Sequence, residues 1–196
     1  GTHIAGIIGS NGSADGGKFA GVAPDANLVN VKISDDEGHA GIGELVGGLG
    51  WVLANKDAYN IRVVNLSLHS TAAQSYKTSP LDAAIEMLWR NGIFVVVAAG
   101  NTGPGPEAVS FPPANDPFVM TVGASDDKGT KYFGDDVMAT WSSSGFTQDG
   151  FFKPELVTPG VNITSNSDPN SILFQQGLSK GKVVDGQYMT LSGTSM

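Results

Sequence analysis

The 196 residues contain no cysteine, and that absence removes disulfides, zinc–thiolate sites and a thiolate nucleophile together. Basic residues are scarce: eleven Lys and Arg stand against nineteen Asp and Glu, a net charge of -8. Phosphate backbones are bound by clustered cations, and the eleven here are scattered, so nucleic acid is excluded as a partner. No run of eighteen apolar residues occurs, so no segment reads as a membrane-spanning helix and no membrane partner is expected. The Walker pattern, Gly-x-Ser-x-Gly and a strand-linked Gly-x-Gly-x-x-Gly are all missing, which argues against a nucleotide-binding domain or an α/β hydrolase. Repeats, low-complexity tracts and dividing linkers are lacking too, so one domain is the simplest reading. Met is missing from position 1: the chain opens Gly1-Thr2-His3 and stops at Met196 in mid-pattern, so both ends read as cut. The compartment stays open between cytoplasm and a disulfide-free secreted protein.

What is present is a core-forming composition, 40 % hydrophobic and 15 % charged, arranged as alternating extended and helical patterns of the α/β class. Residues 26 to 34 read as a strand, after which Ile42, Leu45, Val46, Leu49, Val52 and Leu53 fall on one helical face. Residues 61 to 68 give the next strand. Ser79-Pro80 then opens a helix as N-cap and N1, its apolar stripe is Leu81, Ala84, Ile85, Leu88 and Trp89, and Asn91-Gly92 closes it. Residues 93 to 99 are apolar without alternation, which predicts a central parallel strand covered on both faces. Residues 118 to 124 read as a further strand, and 125 to 187 as loops with short extended pieces and no long helix.

Ligands of open parallel sheets bind beyond the carboxyl ends of the strands, which directs attention to two segments. Ala98-Ala99-Gly100-Asn101 ends an apolar strand on a side-chain amide, and Ser192-Gly193-Thr194-Ser195-Met196 carries hydroxyls around a glycine. Taken singly, Asn101 reads as an ordinary turn residue and Ser195 as a helix N-cap.

Six segments in order alter that reading. Gly1-Thr2-His3-Ile4-Ala5-Gly6, Gly21-Val22-Ala23-Pro24, Asn65-Leu66-Ser67-Leu68, Val97-Ala98-Ala99-Gly100-Asn101, Lys153-Pro154-Glu155-Leu156-Val157-Thr158-Pro159-Gly160 and Ser192-Gly193-Thr194-Ser195-Met196 together resemble the motifs of the subtilase family of serine proteases. The resemblance implies a subtilisin-like three-layer sandwich, a mostly parallel central sheet flanked by helices. It also implies that residues 1 to 196 are a partial peptidase catalytic domain, running from just after the catalytic His to just after the catalytic Ser. His3 matches the second His of the first motif, a packed structural position rather than the base. His39 and His69 match no triad motif, and no Asp here matches the family's catalytic Asp.

By that resemblance, Ser195 is the nucleophile of a serine endopeptidase and Asn101 an oxyanion donor beside the Ser195 backbone N–H. Polypeptide substrates are implied, extended along Ser67, Leu68 and His69, with Ala98, Ala99 and Gly100 as the facing wall of the first specificity pocket. His69 stands where family members usually carry Gly, and is expected either to narrow the adjoining subsite or to point to solvent. Glu155 replaces the family's usual Asp and keeps the carboxylate, so modest structural consequences are expected. No cofactor is required for catalysis. Some members bind structural calcium near the loop from Ser10 to Phe19, but one carboxylate, Asp15, makes a solvated loop the better reading. Oxidation of Met196 would set a polar sulfoxide beside the nucleophile. The sequons at Asn11, Asn65 and Asn162 receive no function, Asn65 lying in an expected buried strand. The rival reading is a catalytically dead subtilase domain that binds or scaffolds. Lacking base and orienting carboxylate, these residues alone are expected to be inactive. Most family members are secreted and some intracellular.

Overall fold

The computed structural model describes residues 1–196. In chain order it holds α1 (Thr2–Gly9), α2 (Ile42–Asn55), β1 (Val63–Leu66), α3 (Pro80–Arg90), β2 (Phe94–Ala98) and β3 (Met120–Asp126). There follow β4 (Val137–Met138), β5 (Gly145–Phe146), β6 (Phe152–Lys153), β7 (Leu156–Pro159), β8 (Ile163–Asn166), α4 (Ile172–Ser179), β9 (Val183–Val184) and β10 (Tyr188–Leu191). The main sheet runs β1, β2, β3, with β7 parallel on the far side of β3 and β4 antiparallel at its end. A smaller antiparallel sheet orders β8, β10, β9, and β5 pairs with β6.

The α3 segment shows how the sequence sets its own boundaries. Ser79 Oγ accepts the Asp82 N–H at 3.2 Å, and Pro80 occupies the first turn, where its missing N–H costs nothing. At the other end the Ile93 N–H reaches Leu88 O and the Gly92 N–H reaches Trp89 O, the paired bonds of a Schellman stop. Gly92 sits at φ +78, a conformation its missing Cβ makes inexpensive. Ile93 then feeds directly into β2.

Leu49 and Val52 of α2, Leu81, Ile85 and Leu88 of α3, and Leu66, Val95 and Val97 of the sheet form one buried core. Strand side chains alternate faces, so the same helices that cover Val95 and Val97 leave the opposite face open. On that face of β2, Phe94 stays 39 % exposed while Val96 is half-buried and Ala98 buried, which corrects the expectation of full cover on both sides at the start of the strand. Trp89 and Ile42, at the ends of their stripes, are likewise exposed. Asn65 also departs from expectation: it is exposed within β1, not buried.

A further expectation fails for an identifiable reason. Residues 26 to 34 form no strand ladder. They reach core positions differently, laying Val31 and Ile33 against Gly48 of α2, where a Cβ would stand 2.6 Å from Ile33 Cγ2. Within 125 to 187, α4 forms as a two-turn helix. Its signal is a local cap, Ser171 Oγ accepting the Phe174 N–H at 3.2 Å, rather than a long apolar period.

Candidate active site

Three chain segments distant in sequence meet at the carboxyl ends of the parallel strands. β10 delivers Ser192, Gly193, Thr194 and Ser195. Gly193 N–H donates to Gly160 O at 2.9 Å, Ser192 Oγ accepts the Asn162 N–H at 2.9 Å, and the Met196 N–H closes a turn on Gly193 O at 3.1 Å. Gly160, just after β7, leaves no room for a side chain: a Cβ there would stand 2.7 Å from Ala124 Cβ and 2.9 Å from Gly193 O. This close approach is the physical reason for the Pro159-Gly160 pair.

β2 delivers Asn101. Its side-chain Oδ1 accepts the Thr194 N–H at 2.9 Å and the Thr194 hydroxyl at 3.1 Å. A backbone N–H can only donate, so the oxygen of the amide must face Thr194, and Nδ2 is left without a partner in the chain. The Thr194 hydroxyl in turn accepts the Gly100 N–H at 3.1 Å. Gly100, at φ +107, packs against Ser143 and is tied to it by the Ser143 N–H. Ala98, Ala99 and Gly100 are all buried, a wall backed by Ser142 and Ser143, themselves fully buried.

β1 delivers Ser67, whose hydroxyl donates to Ser195 O at 2.9 Å and accepts from Asn65 Nδ2 at 3.0 Å. Leu68 is half-buried against the core. His69 is exposed, yet its ring is pinned: Nδ1 lies 2.7 Å from Ser70 O, so it carries the proton, and the ring meets Phe111 edge-on at 6.1 Å.

The three histidines have other partners than Ser195. His3 on α1 is 6 % exposed, with Nε2 2.9 Å from Met189 O, and burial holds its pKa below the ordinary value. His39 is an exposed neighbour of Asp35 at 3.9 Å. His3 thus takes the packed position expected of it.

Sequence reasoning passed over Thr194 and Gly160. Both stood inside quoted motifs, but their roles depend on contacts across 93 residues in one case and on a backbone approach in the other. Glu155 also does more than expected. Its carboxylate meets the fully buried Lys153 Nζ at 2.6 Å and accepts the Thr121 N–H at 2.8 Å. In the loop from Ser10 to Phe19, the Asp15 carboxylate lies near the Tyr188 hydroxyl and accepts the Gly17 and Phe19 N–H groups, which keeps its pKa low. No group of three His, Cys, Asp or Glu stands ready for a metal ion.

Comparison with known proteins agrees with this arrangement. A profile described as the subtilase family matches residues 1–196. The chain is 39 % identical over 201 residues to serine protease AprX of Bacillus subtilis (strain 168), covering 100 % of this chain and 45 % of that protein. It is 32 % identical over 165 residues to the minor extracellular protease Epr of the same organism, covering 84 % of this chain and 22 % of that one. The solved S41 psychrophilic protease superposes with a TM-score of 0.76 at 28 % identity, covering 99 % of this chain and 57 % of its own. The chain therefore spans less than two thirds of each of these relatives. Matched from end to end and sharing the subtilisin-like fold, the chain belongs to the subtilase family.

Proposed function

We propose that the polypeptide carrying these residues is a serine endopeptidase acting through an acyl-enzyme on Ser195. One observation supports this reading above the others: Thr194 occupies the oxygen of Asn101, which leaves Asn101 Nδ2 and the Ser195 N–H as two uncommitted donors in the segments that meet at Ser195. Ser195 Oγ bonds to the scissile carbonyl carbon and gives its proton to a base. The carbonyl oxygen becomes an oxyanion held by the two donors. The C–N bond then breaks as the amine takes the proton, and water releases the acyl group by the same route in reverse. No cofactor enters these steps.

Because each histidine within the 196 residues is engaged elsewhere, the base is assigned to the longer polypeptide, and residues 1 to 196 by themselves are assigned no hydrolysis. Substrate is a polypeptide laid along Ser67, Leu68 and His69, with Ala98, Ala99 and Gly100 opposite. Secretion is proposed by analogy with the relative named as extracellular.

A fluorophosphonate probe on the full-length protein tests the reading, with peptide mapping of the adduct. Labelling at Ser195 is the expected result. A silent probe would favour a binding or scaffolding domain instead.

A further inference from the structure

Behind the segment that continues from His69 lies a buried polar group that the proposed reaction leaves unused. Asp82, in the first turn of α3, is 0 % exposed and neither of its carboxylate oxygens has a partner. Asp116, in the approach to β3, is also 0 % exposed. One of its oxygens accepts the Phe118 N–H at 2.6 Å and the other is unpartnered. Next to it the fully buried Asn115 leaves its own Oδ1 unpartnered. A buried carboxylate without a counter-charge is very costly when ionised, and a second negative charge close enough to act on it adds to that cost.

The charged groups around them do not relieve this. Asp116 acts on Asp82 most strongly, followed by Glu86 of the same helix and Asp149 of the loop after β5. Asp116 feels Glu86 and, with the opposite sign, Lys153. Lys153 is committed to Glu155 at 2.6 Å and Val119 O at 3.3 Å, and Lys77 stands 3.9 Å from Asp149 at the surface. The Ser79 cap and the helix N-terminus favour an ionised Asp82, but burial dominates. Both groups accordingly hold protons far above the carboxylate range, Asp82 to about 7 and Asp116 to about 6.

The loop of residues 70 to 78 runs into Ser79, the cap of the Asp82 turn, and is bonded to Asn115, the neighbour of Asp116. That loop is laced to residues 110 to 115 by three bonds: Ser70 N–H to Pro112 O at 2.7 Å, Gln74 N–H to Ser110 O at 3.1 Å, and Asn115 Nδ2 to Gln74 O at 2.6 Å. On its other side Asp149 accepts the Ser75 hydroxyl and the Tyr76 N–H. Asn115 and Asp116 are consecutive, as are the Ser79 cap and the end of the loop.

We infer that protonated Asp82 and Asp116, both buried and lacking a counter-charge, latch the loop of residues 70 to 78 onto residues 110 to 116, and that loss of their protons as pH rises loosens the loop. The latch rests on the proposed function only for its consequence, since the loop continues directly from the substrate segment. Full ionisation sets two buried like charges against each other, and the least costly relief is to admit water by opening the lacing at Asn115 and Gln74. Substrate contacts at His69 then lose their support at alkaline pH and keep it in mild acid.

Hydrogen exchange of the full-length protein, corrected for intrinsic base catalysis, reads the latch at the Ser70 and Gln74 amides. Between pH 5.5 and pH 8 their protection is expected to fall about tenfold or more, as a local opening becomes cheaper. Asp82→Asn, or Asp116→Asn if the first does not fold, is expected to remove that fall. Protection flat with pH in the unmodified protein, or a fall that persists in the Asn variants, would overturn the latch. Carboxyl-carbon NMR adds a second reading, because both aspartates titrating near the ordinary value of about 4 would overturn it as well. Neither measurement involves hydrolysis. A silent fluorophosphonate probe with this exchange pattern would therefore strike only the proposed function, and an active enzyme with flat exchange only the latch.

Discussion

Thr194 holds Asn101 by two bonds to one oxygen, from its backbone N–H at 2.9 Å and its hydroxyl at 3.1 Å. An amide so fixed presents its nitrogen in one direction without further ordering, the property that makes a donor useful for a developing charge.

Under the proposed hydrolysis, Asn101→Ala in the full-length protein is therefore expected to lower kcat with little change in KM. Loss of one such donor in a subtilisin costs about 10² to 10³ in turnover, and that magnitude is adopted here. Steady-state kinetics on a peptide substrate checks it, and unchanged kcat would remove Asn101 from the reaction.

Thr194→Val keeps the backbone bond to Asn101 but deletes the hydroxyl bond and strands the Gly100 N–H. With a net hydrogen bond worth about 1 kcal/mol, kcat is expected to fall roughly fivefold. Thr194→Ser restores the hydroxyl and is expected to recover most of the loss. A Ser variant as slow as the Val variant would show that shape, not hydrogen bonding, matters there.

Gly160→Ala places a methyl group against Ala124 and the Gly193 carbonyl. Overpacking of this kind costs about 1–3 kcal/mol, and part of the strain falls on the turn that carries Ser195. Both Tm and kcat are expected to drop. A fully active, fully stable variant would contradict the packing described.

Glu155→Ala leaves the Lys153 ammonium buried without a counter-charge. The cost is expected near the lower end of about 3–5 kcal/mol, because Glu155 is itself about a third exposed. Denaturant unfolding measures it, and a Lys153→Met, Glu155→Leu pair is expected to lose less than Glu155→Ala alone.

His3 and the aspartate pair give stability opposite pH slopes. The His3 pKa is depressed in the folded chain, so its contribution is present above the unfolded value of 6.5 and is lost as pH falls. Asp82 and Asp116 are raised, so their folded forms are most stable when protonated, and stability declines as pH rises from about 4 towards 7. The Tm advantage of Asp82→Asn over the unmodified protein is accordingly expected to be larger at pH 8 than at pH 5. An advantage independent of pH would contradict the assignment.

Local patterns were readable wherever a residue's own chemistry determines its conformation. The Ser79-Pro80 start and Asn91-Gly92 stop of α3 are set by bonds within a few residues, and the short apolar run of 93 to 99, bounded by Gly92 and Gly100, reads as a strand. Residues 26 to 34 misled because an apolar segment can be buried by side-chain contact alone, whereas a strand needs ladder partners that no local pattern encodes. Phe94 and Trp89 misled because periodicity names a face without naming what covers it.

The linear order of six motifs determined the family, the nucleophile candidate and the absence of cysteine or metal-thiolate chemistry, since each depends on residue identity alone. Only the tertiary structure decided that Thr194 orients Asn101, that Ser67 reaches Ser195, that Gly160 must be glycine and that Asp82 and Asp116 are buried without a counter-charge. These are relations between groups tens of residues apart, set by how strands and loops pack. Burial likewise belongs to the folded chain, and it is burial that turns two ordinary aspartates into proton-holding groups.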